Sequence, residues 1–500
     1  MTYCLLTLSF YKAGCLLLRS QVSRGLESLI LTATSGATFS VLLPSTLLLH
    51  TETVVKPQRE EVTGEDYILM ETTDINMSEH SAAAHNSLEL DALWGTTPQE
   101  SMMGKSAYVD SHSRSLDKLY NFADCAGLHL ILGLNGLQRN PDNSWNTSST
   151  LSLLKYGAGK KYNISWELGN EPNAYRSMVG RAVNSTQLSQ DYAKLRTLLQ
   201  SVRYYNRAHL YGPNAGRPRK NAVLLLDGFM KNAGSVIDAV TWQHYFMDGR
   251  VKKAEDFLKT RLLDTLTEQI TKVTKVVNTH TPGKKVWLGG LGPAWAGGNN
   301  NLSETYAASF LWMNTLGVAA VQGIDVVLRH SFFDYGYTHL VDQHFNPLPD
   351  YWFSLVFKRL VGPRVLAVRV AGLQRKPQPG RVIWDKLRIY AHCTSYYNPN
   401  YMRGSITIYI INLHRSRKKI KLAGTLRNRT IHQYLLQPHG EGGLRARHVQ
   451  LNGEKLLMGN DETFPDLKPK ILRAGRTIAM PPMTIGFYVI KNINAYACRR

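Results

Sequence analysis

Residues 166–173 read Trp166-Glu-Leu-Gly-Asn-Glu-Pro-Asn173. The apolar run from Asn163 to Leu168 leads into them as a buried strand. Pro172 has no N–H for a ladder and turns the chain, so Glu171 falls at the strand's C-terminal rim. In a barrel of strands and helices that rim is the working face. A carboxylic acid there, beside an Asn170 able to bind a sugar hydroxyl, suits the general acid/base of a glycosidase. A capping Glu at a strand–helix turn is the plainer reading, and the rhythm of the surrounding chain weighs against it.

That rhythm begins near residue 115. Strand-like runs at Leu128–Leu134, Asn163–Leu168, Leu210–Pro213, Ala239–Tyr245, Lys285–Leu291 and Asp325–His330 alternate with helical patterns. The helical stretches are Ser115–Cys125, Leu188–Tyr205, Val223–Asn232, Ala254–Asn278 and Ser303–Leu316, with Tyr351–Leu360 after the last strand. Strands alternating with helices pair in parallel, and runs apolar on both faces fit strands covered by helices. Beyond Gly362 the runs are short, turn-separated and free of long helices, which predicts an antiparallel β-sandwich. The division expected is residues 1–110 as a divergent, poorly ordered segment, 111–362 as the α/β domain and 363–500 as a basic β domain.

The chain of 500 residues is 43% hydrophobic and 19% charged, which excludes coiled-coil, collagen-like and wholly disordered classes. Its formal net charge is +22. Six basic against thirteen acidic residues leave 1–110 at −7, while 351–500 carries +21. Such a field recruits polyanions: nucleic acid, anionic membrane or sulfated sugar. No helix-turn-helix, zinc-finger or RNA-binding motif supports the first, and the broken apolar stretch 28–49 makes a poor membrane span. Residues 1–18 show no clean signal-peptide cleavage site. Five cysteines without a CxxC pair exclude a disulfide scaffold and argue against structural zinc. Cys393 and Cys498 either staple the basic domain or stay as buried thiols. Sequons at Asn76, Asn146, Asn163, Asn184, Asn301 and Asn428 lean toward secretion.

A retaining glycosidase needs a second carboxylate about 5 Å from the first, on another strand end. Lys284-Lys-Val-Trp-Leu-Gly-Gly-Leu-Gly292 is such a strand, and its end holds Gly289 and Gly290. No Asp or Glu occurs between Val286 and Glu304. Glycine cannot attack an anomeric carbon, so double displacement lacks its nucleophile. Glu167, four residues before Glu171, shares its side of the strand but lies roughly 13 Å deeper. The glycine run fails the dinucleotide fingerprint at Trp295, and no phosphate-loop or zinc motif occurs, so neither cofactor nor metal is expected. His244 reads equally well as packing or as function. Arg217-Pro-Arg-Lys220 puts three cations on the rim and Arg250 ends another rim loop. Arg415, Arg417, Lys418, Lys419 and Lys421, joined by Arg375, Lys376, Arg427 and Arg429, concentrate charge in the last domain. Charge-assisted hydrogen bonds from such groups hold sulfates; solvated strand faces are the alternative.

Several strings together resemble the heparanase family, glycoside hydrolase family 79. They are Trp166–Asn173, Tyr211-Gly-Pro213, Pro282-Gly-Lys-Lys-Val-Trp-Leu-Gly289, His339-Leu-Val-Asp342, Pro347-Leu-Pro-Asp-Tyr-Trp352 and Ile411-Asn-Leu-His414. Leu153-Leu-Lys-Tyr156, Gly216-Arg-Pro-Arg-Lys220 and Ala371-Gly-Leu-Gln-Arg-Lys-Pro377 resemble its non-catalytic branch. The similarity runs from about Ser115 to the C-terminus. It implies a (β/α)8 TIM barrel with a C-terminal β-sandwich, its first two strands missing or divergent. It implies secretion to the extracellular matrix and cell surface, and heparan sulfate, heparin and their proteoglycans as ligands. Active heparanase is a further implied partner; nucleic acid and a transmembrane span are not. By the resemblance Glu171 is the acid/base position and Gly290 the lost nucleophile. Asn170, Arg219, Lys220, Tyr245 and Arg250 match cleft positions, with Arg217 added as a ligand-binding candidate from its rim cluster, and Trp295 replaces a Tyr of the active enzyme. It implies a Cys393–Cys498 disulfide, N-glycans at Asn146, Asn163, Asn184, Asn301 and Asn428, and a Cys125 left without its usual partner. The competing function is an active endo-β-glucuronidase with another nucleophile.

Overall fold

The computed structural model describes residues 38–44, 65–71, 115–295, 298–333, 337–370, 386–459 and 463–499. Eight strands close a barrel in the order β1-β2-β8-β7-β6-β5-β4-β3. They are β1 (Thr38–Pro44), β2 (Glu65–Glu71), β3 (His129–Leu134), β4 (Ile164–Leu168), β5 (Leu210–Ala215), β6 (Ala239–Met247), β7 (Lys285–Ala294) and β8 (Val327–Arg329). Strands β3 to β8 are parallel neighbours and fall on the six runs expected from sequence. Every residue of β4 and β5 is buried, as strands covered on both faces require.

Two features differ from expectation. Residues 1–110 supply β1 and β2, so the barrel closes and no sheet edge is left bare. The fold is nevertheless not all-parallel: β1 runs antiparallel to both β2 and β3, while β2 runs parallel to β8. The architecture is a TIM-barrel-like fold with one reversed stave. The remaining residues of 1–110, Asn76 among them, lie outside the described residues.

The helices are α1 (115–126), α2 (Ser148–Gly159), α3 (Tyr175–Val179), α4 (Ser185–Ser201), α5 (Lys220–Ala233), α6 (Thr260–His280), α7 (Tyr306–Val321) and α8 (Pro349–Leu360). Helices α2 and α3 were not anticipated. Helix α2 buries only Thr150, Leu154 and Gly157, too sparse an apolar stripe to read from sequence.

Strand β9 (Val361–Leu366) follows α8 without a loop, so the second unit begins at residue 361 rather than 363. Gly362-Pro363 lies inside β9, not between domains. β9 is the sheet's edge, where a missing N–H is tolerated. The sheet is antiparallel, in the order β15-β14-β13-β18-β11-β10-β9, with β16 also on β13; its short outer strands are β14 (Val449–Leu451), β15 (Glu454–Lys455) and β16 (Lys470–Leu472). Its central strands are β10 (Leu387–Thr394), β11 (Ile406–Asn412), β13 (Ile431–Pro438) and β18 (Thr484–Ile490). One face presents Tyr390, Tyr409 and Phe487 to the core shared with the barrel helices. The other buries Ile389, Ile408, Ile410 and Ile490 beneath a two-stranded ribbon. That ribbon, β12 (Lys418–Ile420) with β17 (Ile478–Met480), is the thin second layer of the expected sandwich.

Helix α7 joins the two units. All of its residues from Tyr306 to Ala320 are buried, because barrel and sheet cover opposite sides of it. Gly317 permits the approach: a Cβ there would stand 2.5 Å from the Tyr390 ring. The Tyr306 hydroxyl donates to the Leu436 carbonyl (3.0 Å) and Tyr390 to Asn314 Oδ1 (2.9 Å). A disulfide joins Cys393 to Cys498 at the sheet's end. Cys125 is also disulfide-bonded, contrary to the expectation that it stands alone; its partner lies outside the described residues. Among the described residues no helix is long and apolar enough to cross a membrane.

Candidate active site

Polar side chains from three neighbouring strands meet at the barrel's C-terminal end. On β6, Thr241 and Gln243 point inward, two residues apart as strand alternation requires. Thr241 Oγ1 donates to Glu167 Oε1 (2.5 Å) and accepts from the Asn214 N–H (3.0 Å). One layer higher, Gln243 Nε2 donates to Asn170 Oδ1 (2.5 Å) and to Asn214 Oδ1 (3.1 Å). Asn214 Nδ2 adds a bond to Asn170 Oδ1 at 3.3 Å. Asn170 is thus fixed by donors from β5 and β6.

Glu171 follows in a left-handed conformation (φ 45°, ψ 57°). A non-glycine residue there costs about 1 kcal/mol or more. Two bonds hold it: its N–H donates to the Asn214 carbonyl (3.0 Å), and its carbonyl accepts from the Ala174 N–H (2.8 Å). The carboxyl group lies against Gly216, where a Cβ would stand 2.9 Å from Glu171 Cδ. Asn173 Oδ1 accepts from the Gly216 N–H (2.7 Å) and keeps that backbone in place. Burial raises the Glu171 pKa to about 7, with nearby Arg219 opposing the shift. An acid so tuned holds its proton at mildly acidic pH and can give it to a leaving oxygen.

Strand β7 brings glycines to the barrel interior beside β6. In register, Gln243 sits beside Gly290 and Tyr245 beside Gly292, with an irregularity at Gly289. Parallel neighbours in register share a face, so Gly290 lines the interior next to Gln243. A Cβ on Gly292 would meet the Tyr245 ring at 3.0 Å, and one on Gly289 would meet Thr241 Cβ at 3.0 Å. The other interior carboxylate of this layered set, Glu167, is held by Thr241 a layer below Asn170 and Gly290.

Glu167 makes a testable contribution to stability. Burial, partly offset by the Thr241 bond, lifts its pKa from 4.5 to about 7. Between those values the folded chain holds a proton the unfolded chain has released, so stability falls as pH rises from 4.5 to 7. Glu167→Gln is expected to remove its share of that fall, at most about 3 kcal/mol. Urea unfolding at both ends of the window should show the variant and parent diverging as pH rises.

The rim cations divide. Arg217 is half-buried, and its Nη1 reaches the Tyr245 carbonyl at 3.5 Å. Burial and the neighbouring Arg219 push its guanidinium below the ordinary value. Arg219 is the exposed N-cap of α5 and Lys220 its exposed first residue. Cations are disfavoured at a helix N-terminus, and the acid that Arg219 acts on is the nearby Glu171. Arg250 is different: it is exposed and paired with Asp248 (2.7 Å) on the same loop. Trp295 stands 48% exposed on the rim after β7. His244 packs between Trp242 and Phe246, and burial holds its pKa at about 3, a neutral core residue.

Arg415, Arg417, Lys419 and Lys421 are exposed and Lys418 half-buried, on or beside the ribbon strand β12. The ribbon covers the sheet face turned from the barrel, so these cations form a region separate from Glu171. Arg375 and Lys376 lie outside the described residues. Asn163, Asn184, Asn301 and Asn428 are exposed and Asn146 half-buried. Sequence reasoning missed Asn214, Thr241, Gln243 and Gly216. Asn214 falls one residue past the expected end of β5 at Pro213.

The Glycosyl hydrolase family 79, N-terminal domain, matches residues 94–317. The chain is 72% identical over 387 residues to human inactive heparanase-2, covering 77% of this chain and 65% of that one. It therefore spans slightly less than two thirds of that relative's length. It is 47% identical over 389 residues to mouse heparanase, covering 78% and 71% of the two chains. Among solved structures, the family 51 arabinofuranosidase of Xanthomonas axonopodis pv. citri superposes with a TM-score of 0.54 at 10% identity, covering 75% and 78%. That likeness speaks for the fold alone.

Proposed function

Since the chain belongs to the heparanase family of glycoside hydrolases, we propose that it acts as a secreted pseudoenzyme that binds heparan sulfate without cutting it. The observation that carries this is Gly290: where β7 runs beside Gln243 it offers no carboxylate to attack the anomeric carbon. Retaining cleavage needs both carboxylates about 5 Å apart. Glu171 alone can protonate a leaving oxygen, but among the described residues of β7 no carboxylate is present to capture the oxocarbenium-like carbon. Glu167 lies a layer too deep and spends an oxygen on Thr241. The 72% identity to a protein named inactive supports the same reading.

Binding is the activity left. Arg217, Arg219 and Lys220 offer cations beside the cleft, and Asn170 and Tyr245 offer polar contacts. The ribbon cations 415–421 offer a second, exposed anchorage. Two separated cationic regions on one chain suit a long sulfated polymer, since each added contact acts at high effective concentration. By occupying heparan sulfate the protein would limit active heparanase at cell-surface and matrix proteoglycans. The exposed sequons are compatible with a secreted glycoprotein.

Charge reversal tests the anchorage. The triple variant Arg417→Glu, Lys418→Glu, Lys419→Glu is expected to weaken heparin binding at least about tenfold at physiological salt and to flatten its salt dependence. A parent-like affinity and salt slope, measured by biosensor titration, would remove the ribbon from the binding surface.

A further inference from the structure

Two neighbouring loops on the C-terminal rim, residues 248–253 after β6 and the loop after β7, are tied together by side chains. Asn299 of the second loop is buried. Its Nδ2 donates to the Gly249 carbonyl (2.6 Å) and to the Val251 carbonyl (2.9 Å), the residues on either side of Arg250. Asn299 is itself held: its N–H donates to Ser303 Oγ (2.9 Å), and its carbonyl accepts from the Ser303 N–H (3.0 Å). The Trp295 N–H adds a bond to the Met247 carbonyl (3.1 Å).

The β unit reaches the same two loops. Arg445 ends the turn Gly443–Arg445. Its Nη2 donates to the Lys252 carbonyl (2.9 Å) and its Nη1 to the Asn301 carbonyl (3.3 Å). One planar guanidinium thus spans both loops, as the fixed fork of arginine allows. The Tyr306 N–H fixes the turn by donating to the Ala446 carbonyl (2.9 Å). Beside it, Arg447 Nη1 donates to Glu304 Oε1 (3.2 Å), which also accepts from the Asn301 N–H (2.9 Å).

The residue these bonds bracket is Arg250, whose side chain is 90% exposed. Asp248 orients it: Oδ1 accepts from the Arg250 N–H (2.8 Å), and Oδ2 from Nε (3.2 Å) and Nη2 (2.7 Å). Asp248 can do so only while the backbone of residues 249–251 keeps its place. Exposed loops are ordinarily the least stable parts of a fold, and here two carbonyls of this loop are held from β7's loop and a third from the β unit.

We propose that Asn299 and Arg445 are positioning residues for Arg250: they lock the loop after β6 so that its guanidinium is presented pre-set to an anionic group of an acidic saccharide. A pre-set donor spares part of the ordering cost of binding. The proposal rests on the saccharide-binding reading above, and it makes the β unit part of the barrel's binding rim.

Hydrogen exchange in the ligand-free, full-length protein reads the lock by itself. Asn299→Ala and Arg445→Ala should each speed exchange of the 248–253 amides at least about tenfold, with β10 and β11 exchanging as in the parent. Arg445→Lys, able to keep one of the two bonds, should fall between. Titration with a heparin tetrasaccharide reads the consequence. Arg250→Ala and Asn299→Ala should each weaken binding about three- to tenfold. In an Arg250→Ala background, Asn299→Ala should cost nothing further, because it acts through Arg250. A merely structural role would act alike in both backgrounds. Unchanged exchange in both alanine variants, parent affinity in Arg250→Ala, or the same loss from Asn299→Ala in both backgrounds would overturn the proposal. Faster exchange in a protein that binds no saccharide would uphold the lock and mark the failure of the saccharide-binding reading instead. Should Asn299→Ala fail to fold, Arg445→Ala, at an exposed position, runs the same cycle.

Discussion

Gly290→Glu is expected to shorten heparan sulfate that the parent protein leaves intact. On the proposed reading Glu171, tuned by burial to a pKa of about 7, is the acid, and the part to restore is the attacking carboxylate. Removing one member of a covalent catalytic unit costs several orders of magnitude in rate. Returning it should recover at least about a hundredfold over the parent background, short of full activity because Trp295 stands on an altered rim. The pH profile fixes the sign. Cleavage needs Glu171 protonated, so it should be present below about pH 7 and fade as pH rises through that value. Gly290→Glu combined with Glu171→Gln should return to background. A folded Gly290→Glu protein that leaves every chain intact would show that the defect is not the nucleophile.

Arg388→Ala is expected to cost about 3–5 kcal/mol of stability. Arg388 is fully buried between the β sheet and the barrel helices, paired with Asp264 of α6 at 2.7 Å. It also approaches Asn314 Oδ1 of α7 (3.3 Å) and the Thr260 carbonyl (3.4 Å). Removing the guanidinium leaves the largely buried Asp264 without its countercharge at the joint between the two units. The double variant Arg388→Met, Asp264→Leu should recover much of the loss, since an apolar pair leaves no orphaned charge. Urea midpoints of the single and double variants test this; a single variant within 1 kcal/mol of the parent would dismiss the pair as a structural tie.

The six parallel staves were legible because covered strands are apolar on both faces, and their ends could be placed by Pro172 and by the glycines of β7. Strands β1 and β2 were not, since Thr38–Pro44 lies within the broken apolar stretch 28–49, Glu65–Glu71 is a short run in polar surroundings, and the pairing of both depends on distant strands. Gly362-Pro363 misled by composition: it looks like a break, yet an edge strand accepts it. At the site, Glu171 and Gly290 could be singled out as candidates because the signal lies in residue type and in position at a strand end. The layer that holds Glu171 could not. Asn214, Thr241 and Gln243 meet only through barrel closure across β5 and β6, and Gly216 matters only because the Glu171 carboxyl rests on it. The cations show the same limit. Arg217 and Arg250 look alike in sequence, but folding sets one beside the cleft and pairs the other with Asp248.

The most direct test of the pseudoenzyme reading incubates the purified protein with end-labelled heparan sulfate of defined length, at mildly acidic and at neutral pH. Bound fraction and chain length are read from the same samples. The expected result is bound chains of unchanged length at both pH values. Shortened chains would contradict it and require a nucleophile other than residue 290.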